Sequence, residues 1–560
     1  MIHRNLPLIG EKTKGGGYRA CSKQFFFVKA DGQKPNLVFQ SIDIMIILKK
    51  TFYLFLFLLL ADKSICQQKM VNHPNIIVFL VDDMGWMDTS VPFYDSTMPL
   101  NKRYRTPNME RLAREGVKFT NAYSQPVCTP TRVSFVTGMN SSRTHITNWT
   151  SPNKNDDADE KDDQFEPLKW NMNGLSDNTT TDRTVNATTF PQLLKDAGYY
   201  TIHVGKAHWA SMGTPDANPH NVGFMVNIAG HAGGHPQSYL SEERYGNIHG
   251  KTQPQAVPDL EEYFNTGTFL TEALTLEAIK ALESPIKRKE PFYLNMCHYA
   301  LHIPIMADPR FVQKYYDAGI DSTEAKYASL IEGMDKSLGD IMDYLKKKGV
   351  DKNTIIIFMS DNGGLDHHQR GGPVNTHNYP LKSGKGSVYE GGIREPMIVK
   401  WAGVAKPATV NSMPVIIDDF FPSILEMAGV KQGKIIQKLD GESFVPYLKN
   451  PKLIEKDRSL IFHYPNKWVN LRENEHLGIN YFSAIRYGRW KLLYNMRNQK
   501  FELYDLLKDI SEENNLVNEK PAEVKKMAIL LGKTLKERGA QMPIEKATGR
   551  PVPFPDQIVK

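Results

Sequence analysis

The run Cys128-Thr-Pro-Thr-Arg132 puts a thiol and a guanidinium one helical turn apart and continues into Val133-Ser-Phe-Val-Thr-Gly138, a pattern that predicts a helix opening at Cys128. A thiol at a helix N-terminus meets unpaired backbone N–H groups that favour negative charge. A lone free cysteine is ordinarily a buried, inert packing residue, so this one gains meaning only from its company. Asp82-Asp83 and Asp361-Asn362 supply oxygen ligands alone, from two places far apart in sequence. Hard oxygen donors select Ca²⁺ or Mg²⁺ rather than zinc, which prefers His and Cys. One such pair more often caps a strand or helix; two pairs with a helix-opening cysteine point to a metal. Lys206 and His208 follow a strand-like run with one residue between them, so both face one site if extended geometry persists. His302 adds an acid–base candidate.

These side chains need a scaffold whose elements end together. Four apolar, β-rich runs stop at them: Asn75–Val81 before Asp82, Tyr199–Val204 before Gly205-Lys206, Phe292–Cys297 before His298 and His302, and Thr354–Met359 before Ser360-Asp361. Near-continuous apolar strands are buried on both faces, as in a parallel or mixed sheet covered by helices. In open α/β sheets the ligand site lies beyond the carboxyl ends of the strands. Helical patterns alternate with the strands: one opened by Thr106-Pro107 and closed by Gly116, then Phe190–Asp196, Thr271–Glu283 and Ser322–Lys348. The fold class expected is α/β, a large doubly wound domain over residues 72–448. From 449 to 560 the runs Ser459–Tyr464, Phe482–Tyr487, Trp490–Tyr494 and Phe501–Asp505, then a helix over Pro521–Arg538, predict a smaller C-terminal α+β subdomain with an antiparallel sheet. The acidic run Asn153–Gln164 has almost nothing to bury and reads as a solvated loop.

Asp82-Asp83-Met-Gly-Trp86, Cys128-Thr-Pro-Thr-Arg132, Val204-Gly-Lys-Ala-His208, His302-Ile-Pro304, Ser360-Asp-Asn-Gly-Gly364 and Ser383-Gly-Lys-Gly-Ser-Val-Tyr-Glu-Gly-Gly-Ile-Arg-Glu-Pro396 occur in the order seen in type I, formylglycine-dependent sulfatases. Over nearly all of its length beyond the N-terminal segment, through Ala484-Ile-Arg-Tyr-Gly-Arg-Trp-Lys-Leu492, the chain resembles that family and its bacterial polysaccharide sulfatases. The resemblance implies the fold of the alkaline phosphatase superfamily. It also implies oxidation of Cys128 to formylglycine (3-oxoalanine) by a formylglycine-generating or anaerobic maturation enzyme. One Ca²⁺ would be bound by Asp82, Asp83, Asp361, Asn362 and modified Cys128. The hydrated aldehyde would attack sulfur, and collapse of the diol would expel sulfate. Arg132, Lys206 and Lys385 would stabilise the charge in transit, and His208 would assist deprotonation of the residue-128 hydroxyl. His302, with Lys385 close behind, would protonate the departing sugar oxygen. Thr131 stands where Ser is commoner but keeps a hydroxyl; Ala207 and Trp209 alter the surroundings of His208. His231, His235, His367 and His463 are candidates to read a sugar, as are His368 and His377, and Trp149 offers a stacking face.

The 560 residues are 41% hydrophobic and 23% charged, ordinary globular material, and the net charge of +7 comes without a basic stripe, so nucleic acid is not an expected partner. Met45-Ile-Ile-Leu-Lys-Lys50 and the apolar Phe52–Ala61 resemble the n- and h-regions of a signal peptide over 45–66, too short to span a bilayer. Residues 1–44 then read as a non-structural upstream extension, and the protein as exported, periplasmic or secreted, without a transmembrane span. Only Cys128 and Cys297 lie beyond that segment, so no disulfide framework is expected. Asn148, Asn178 and Asn186 open glycosylation sequons. The expected activity is hydrolysis of sulfate esters on a polysaccharide or its oligosaccharides, with ulvan and other algal polymers among the candidates and exo action at a mouth narrowed by the C-terminal subdomain. Two alternatives stay open: a formylglycine-dependent phosphate or phosphonate ester hydrolase, and an unmodified, non-catalytic sugar-binding protein.

Overall fold

A computed structural model describes residues 73–248, 253–365, 371, 377–431, 433–453, 457–468 and 477–559. The expected signal peptide, the upstream extension and His367 and His368 lie outside the described residues. In chain order the strands are β1 (Asn75–Val81), β2 (Val117–Tyr123), β3 (Gly174–Leu175), β4 (Thr184–Val185), β5 (Tyr200–Gly205), β6 (Val226–Ile228), β7 (Phe292–Cys297) and β8 (Thr354–Ser360). There follow β9 (Arg394–Lys400), β10 (Thr409–Asn411), β11 (Val415–Ile416), β12 (Ser459–Tyr464), β13 (Phe482–Tyr487), β14 (Trp490–Asn495) and β15 (Lys500–Asp505).

The large sheet runs β10-β2-β9-β8-β1-β7-β5-β6, with β11 also on β2. β1 lies parallel between β7 and β8, and β5 is parallel to β7, whereas β9 runs antiparallel to both β8 and β2. The sheet is therefore mixed. Along β1, Ile76, Val78 and Leu80 enter one apolar core, while Ile77, Phe79 and Val81 enter the other. This two-sided burial is what an uninterrupted apolar strand demands. Helices Cys128–Thr137, Phe190–Asp196 and Phe420–Ala428 cover the first face; Pro107–Glu115, Leu270–Arg288 and Ser322–Lys347 cover the second. Asp321 caps the last of these by accepting from the Thr323 and Glu324 amides. Because β1, β5, β7 and β8 point the same way, the segments after Val81, Gly205, Cys297 and Ser360 leave one edge of the sheet together.

β12-β13-β14-β15 form an antiparallel sheet. One face packs Ile485, Leu492 and Leu503 against Met527, Leu531 and Leu535 of helix Pro521–Glu537. The other face sends Phe462, Tyr464, Ala484 and Leu493 into the core that holds Tyr123 and Val133. At this junction Lys491 Nζ lies 2.8 Å from Glu390 Oε1 and 2.8 Å from Glu512 Oε1, all fully buried. The Glu390 Oε2 atom accepts from Tyr123 Oη at 2.7 Å and pairs with Arg394 at 3.2 Å. The 383–396 and 484–492 motifs thus meet in space.

The acidic run departs from the solvated-loop expectation. Asp157, Glu160 and Asp163 are exposed, but Asp159 accepts from Asn148 and Asn466, and the Glu160 amide donates to the Lys467 carbonyl at 2.7 Å. The segment is a strap against the C-terminal subdomain, with partners some 300 residues away. Among the described residues no helix is long and apolar enough to cross a membrane.

Candidate active site

β1 delivers Asp82 and Asp83, and β8 delivers Asp361 and Asn362, all fully buried. Asp83 turns through the left-handed region (φ 59°), and its amide donates to Asp361 Oδ1 at 3.2 Å. Asn362 Nδ2 donates to Asp83 Oδ1 at 2.7 Å. Three buried oxygens, Asp82 Oδ1, Asp83 Oδ2 and Asn362 Oδ1, have no hydrogen-bond partner among the described residues. Orphaned oxygens of this kind suit a hard cation. Asp82, Asp83 and His302 offer ligand atoms within 4.8 Å of one another, so this cluster can hold a metal ion. His302 Nε2, 3.5 Å from Asp83 Oδ2, is a member that the sequence reading did not place among the ligands. Burial, then the neighbouring Asp361, pushes the Asp82 carboxyl well above the usual range despite Lys206. Burial also acts to raise Asp361, but Arg132, Lys206 and Lys385 hold it below its ordinary value.

Cys128 is the first residue of its helix, and Thr131 Oγ1 braces the entry by accepting from the Gln125 amide and donating to the Gln125 carbonyl. Cys128 Sγ lies 3.4 Å from His208 Nδ1. The other ring nitrogen, Nε2, lies 2.9 Å from the Thr150 carbonyl, which can only accept, so Nε2 carries the proton and Nδ1 presents a lone pair to residue 128. Extended geometry does not bring Lys206 and His208 together. β5 ends at Gly205, His208 turns left-handed (φ 52°), and its amide is taken by the His231 carbonyl. Gly234 packs on the imidazole so closely that a Cβ there would lie 2.7 Å from its Cε1. Burial, then Lys206, drives the His208 pKa well below the usual imidazole range.

Three cations line the carboxylates. Lys206 Nζ reaches Asp82 Oδ2 at 2.7 Å, Lys385 Nζ reaches Asp83 Oδ1 at 2.6 Å, and Arg132 Nε and Nη2 both lie 2.9 Å from Asp361 Oδ2. Arg132 Nη1 also holds the Lys206 carbonyl at 2.8 Å. Burial works against charge on Lys385, yet Asp83, the residue-128 thiol and Asp82 keep it charged. His302 behaves oppositely: burial, then Lys385 and Lys206, holds it neutral.

His231 and His235 join this centre. His231 follows from its carbonyl contact with His208, and the His235 ring stacks on His302 with centroids 5.5 Å apart. His463 does not join it. Its Nδ1 lies 2.7 Å from Ser483 Oγ and its Nε2 2.9 Å from the Gln541 carbonyl, so both nitrogens are used inside the C-terminal subdomain. Alternation along β12 turns Tyr464, not His463, toward the catalytic side, where the Tyr464 hydroxyl donates to Asn148 Oδ1 at 2.9 Å. His377 is interior too, with Nδ1 2.6 Å from Asp88 and Nε2 3.3 Å from Glu324. Sequence reasoning also misses Trp468, whose ring lies so close over Gly386 (φ 87°) that a Cβ would approach to 2.3 Å. This places a C-terminal aromatic one residue from Lys385. A tryptophan on an irregular segment gives no periodic signal that would reveal this.

A buried oxygen cluster and a helix-opening cysteine, ringed by cations at the carboxyl edge of an α/β sheet, suit an anionic group. Residues 74–430 match the family model described as Sulfatase, and residues 383–541 that described as N-sulphoglucosamine sulphohydrolase, C-terminal. The chain belongs to the sulfatase family and is a sulfuric ester hydrolase. It is 28% identical over 493 residues to a sulfatase of Formosa agariphila, covering 80% of this chain and 85% of that one. With the N-acetylgalactosamine-6-sulfatase of Mus musculus it shares 28% over 408 residues, 70% and 68% of the two chains. The crystal structure of Ps i-CgsB superposes with a TM-score of 0.64 at 26% identity, covering 83% of this chain and 93% of that one; Ps i-CgsB is also solved in complex with k-i-k-neocarrahexaose.

Proposed function

We propose that this sulfatase acts after export, with residues 45–66 as its signal peptide, and removes sulfate from a sulfated polysaccharide or its oligosaccharides. The carrying observation is the trio of buried, unpartnered oxygens beside Cys128 at the start of its helix. Asp82, Asp83, Asp361 and Asn362 would hold Ca²⁺, with His302 at its margin. When present, a formylglycine hydrate at residue 128 supplies the nucleophilic hydroxyl and Ca²⁺ supplies positive charge beside it. Arg132, Lys206 and Lys385 hold the sulfate oxygens and offset the charge that develops on them. His208 Nδ1 takes the proton of the residue-128 hydroxyl while Nε2 stays bonded to the Thr150 carbonyl. Lys385, kept charged beside Asp83, holds the proton for the departing sugar oxygen; His302, which the sequence put first for this role, is held neutral and comes second.

The carbohydrate reading is supported by the carrageenan-type ligand of Ps i-CgsB and the amino-sugar substrate named for the mouse relative. Algal polymers such as carrageenan and ulvan come first, glycosaminoglycans second. Trp149 and Trp468 are the aromatic faces for a sugar ring, with His231 and His235 as polar contacts. The test uses protein co-expressed with a maturation enzyme. Mass spectrometry of the Cys128 peptide reports its conversion, and free sulfate is followed with desalted oligosaccharides from each polymer. Conversion with release is expected, and Cys128→Ala abolishes release. Free thiol alone with no release would favour the sugar-binding alternative. Release from small aryl sulfates but from no sugar would overturn the carbohydrate assignment.

A further inference from the structure

We propose that Asn148 and Asp159 are positioning residues for His208: a pair made by the buried Asn148 amide and the half-buried Asp159 carboxyl, fastened to the C-terminal subdomain through Tyr464 and Asn466, holds the turn whose Thr150 carbonyl decides which imidazole nitrogen faces residue 128. The proposal rests on the reading of His208 as the partner of the residue-128 hydroxyl.

A neutral imidazole carries a single N–H, and the bond made by one nitrogen fixes the role of the other. Here Nε2 is tied to the Thr150 carbonyl at 2.9 Å, which leaves Nδ1 to face Cys128 Sγ at 3.4 Å. Thr150 is held from both sides. Its own amide donates to Thr129 Oγ1 at 3.0 Å, on the residue that follows Cys128. Two residues earlier, Asn148 is fully buried and its side chain makes three bonds. Asn148 Oδ1 accepts from the Trp149 amide at 2.9 Å and from Tyr464 Oη at 2.9 Å, and Nδ2 donates to Asp159 Oδ1 at 2.7 Å. Asp159 is locked in turn by Asn466 Nδ2, at 2.9 and 2.8 Å from its two oxygens.

The 148–150 turn is thus clamped between the Cys128 helix and a strand and loop of the C-terminal subdomain. Loosening Asn148 frees the Thr150 carbonyl, and the other tautomer of His208 then presents an N–H to residue 128 instead of a lone pair. The Asn148 sequon has the same explanation. Its amide nitrogen is spent inside the fold and is closed to a glycan, whereas Asn178 is exposed.

The test uses full-length matured protein, with formylglycine content measured for every variant and a small aryl sulfate as substrate, so that sugar contacts do not enter. Asn148→Ala and Asp159→Ala are each expected to lower kcat about tenfold or more, the scale of a modest misplacement of a reacting group, with KM within about twofold. Asn148→Asp and Asp159→Asn should each be impaired, because one sets two carboxylates together and the other two amides. The double variant Asn148→Asp/Asp159→Asn exchanges donor and acceptor and is expected to recover most of the lost kcat. Independently of turnover, ¹⁵N spectra of imidazole-labelled protein, assigned through His208→Gln, should show the Nε2–H tautomer in the wild type and a mixture in Asn148→Ala. An unchanged kcat, a change in KM alone, a double variant no better than either single one, or an unchanged tautomer in Asn148→Ala would overturn the proposal. A wild type that released no sulfate would sink the functional reading, while the imidazole spectra would still decide the positioning.

Discussion

At the subdomain junction Lys491 is clasped between Glu390 and Glu512, and at the strand ends Asp82, Asp83 and Asp361 face Arg132, Lys206 and Lys385. Both clusters are buried, and at the strand ends acids and bases match in number, so charge balance does not separate them. Hydrogen bonding does. Both Glu390 oxygens are taken, one by Lys491 and the other by Tyr123 and Arg394. At the strand ends three oxygens have no partner among the described residues. Each such atom costs about 1–3 kcal/mol, which a fold tolerates where an ion or ligand compensates. Among the described residues the junction leaves one such oxygen, Glu512 Oε1, which still lies 2.8 Å from Lys491 Nζ, so its network ties the subdomains together; the strand ends leave three, which suits a bound ion.

Three substitutions break or sharpen this contrast. Asp82→Asn is expected to lower sulfate release about 10³-fold, the upper range for loss of one charge-stabilising group, with partial recovery at high Ca²⁺. The amide oxygen can still accept from Lys206, so unfolding free energy should change by less than about 2 kcal/mol, well below the effect of breaking a closed pair. A calcium response identical to the wild type would place the metal elsewhere. Lys491→Met should do the reverse, costing about 3–5 kcal/mol in denaturant unfolding because two buried carboxylates lose their cation, with kcat of the folded fraction nearly unchanged. Equal damage to turnover and stability in both variants would erase the distinction.

The smallest effect belongs to His463, which closes a purely structural network. Burial lowers its pKa to about 4 from an unfolded value of 6.5. The unfolded chain therefore takes the proton first; this contribution to stability is fully present above pH 6.5 and is lost as pH falls through 4. His463→Gln should remove up to about 3 kcal/mol of the wild-type decline over that window, read from denaturant midpoints at each pH, and leave the acid limb of kcat untouched. A matching shift in the kcat profile would return His463 to the active site.

Much of this architecture is legible along the chain because run length and period are local properties. β1, β7, β12 and β13 have the ends that their apolar runs announce, and the cysteine helix opens at Cys128. β2 and β9 are hidden. Val117–Tyr123 carries Lys118, Thr120 and Asn121, and Arg394–Lys400 carries two basic residues, an acid and a proline, so neither looks like an inner strand until its neighbours bury it. Helix Leu270–Arg288 runs past its expected end at Glu283 and through the buried Pro285, which forfeits one i→i−4 hydrogen bond there.

By itself the sequence determined the chemistry available: oxygen donors at two strand ends, a cysteine at a helix start, and cations on separate segments. Tertiary structure alone decided which of those groups meet and with what atom. The pairing of β12 with β13 turned Tyr464 rather than His463 toward the site, since side chains alternate and a one-residue shift exchanges faces. The left-handed turn at His208 and the Thr150 carbonyl decided which nitrogen faces Cys128. The physical reason is that element type follows from neighbours a few residues away, whereas register, tautomer and ion pairing depend on partners tens to hundreds of residues distant.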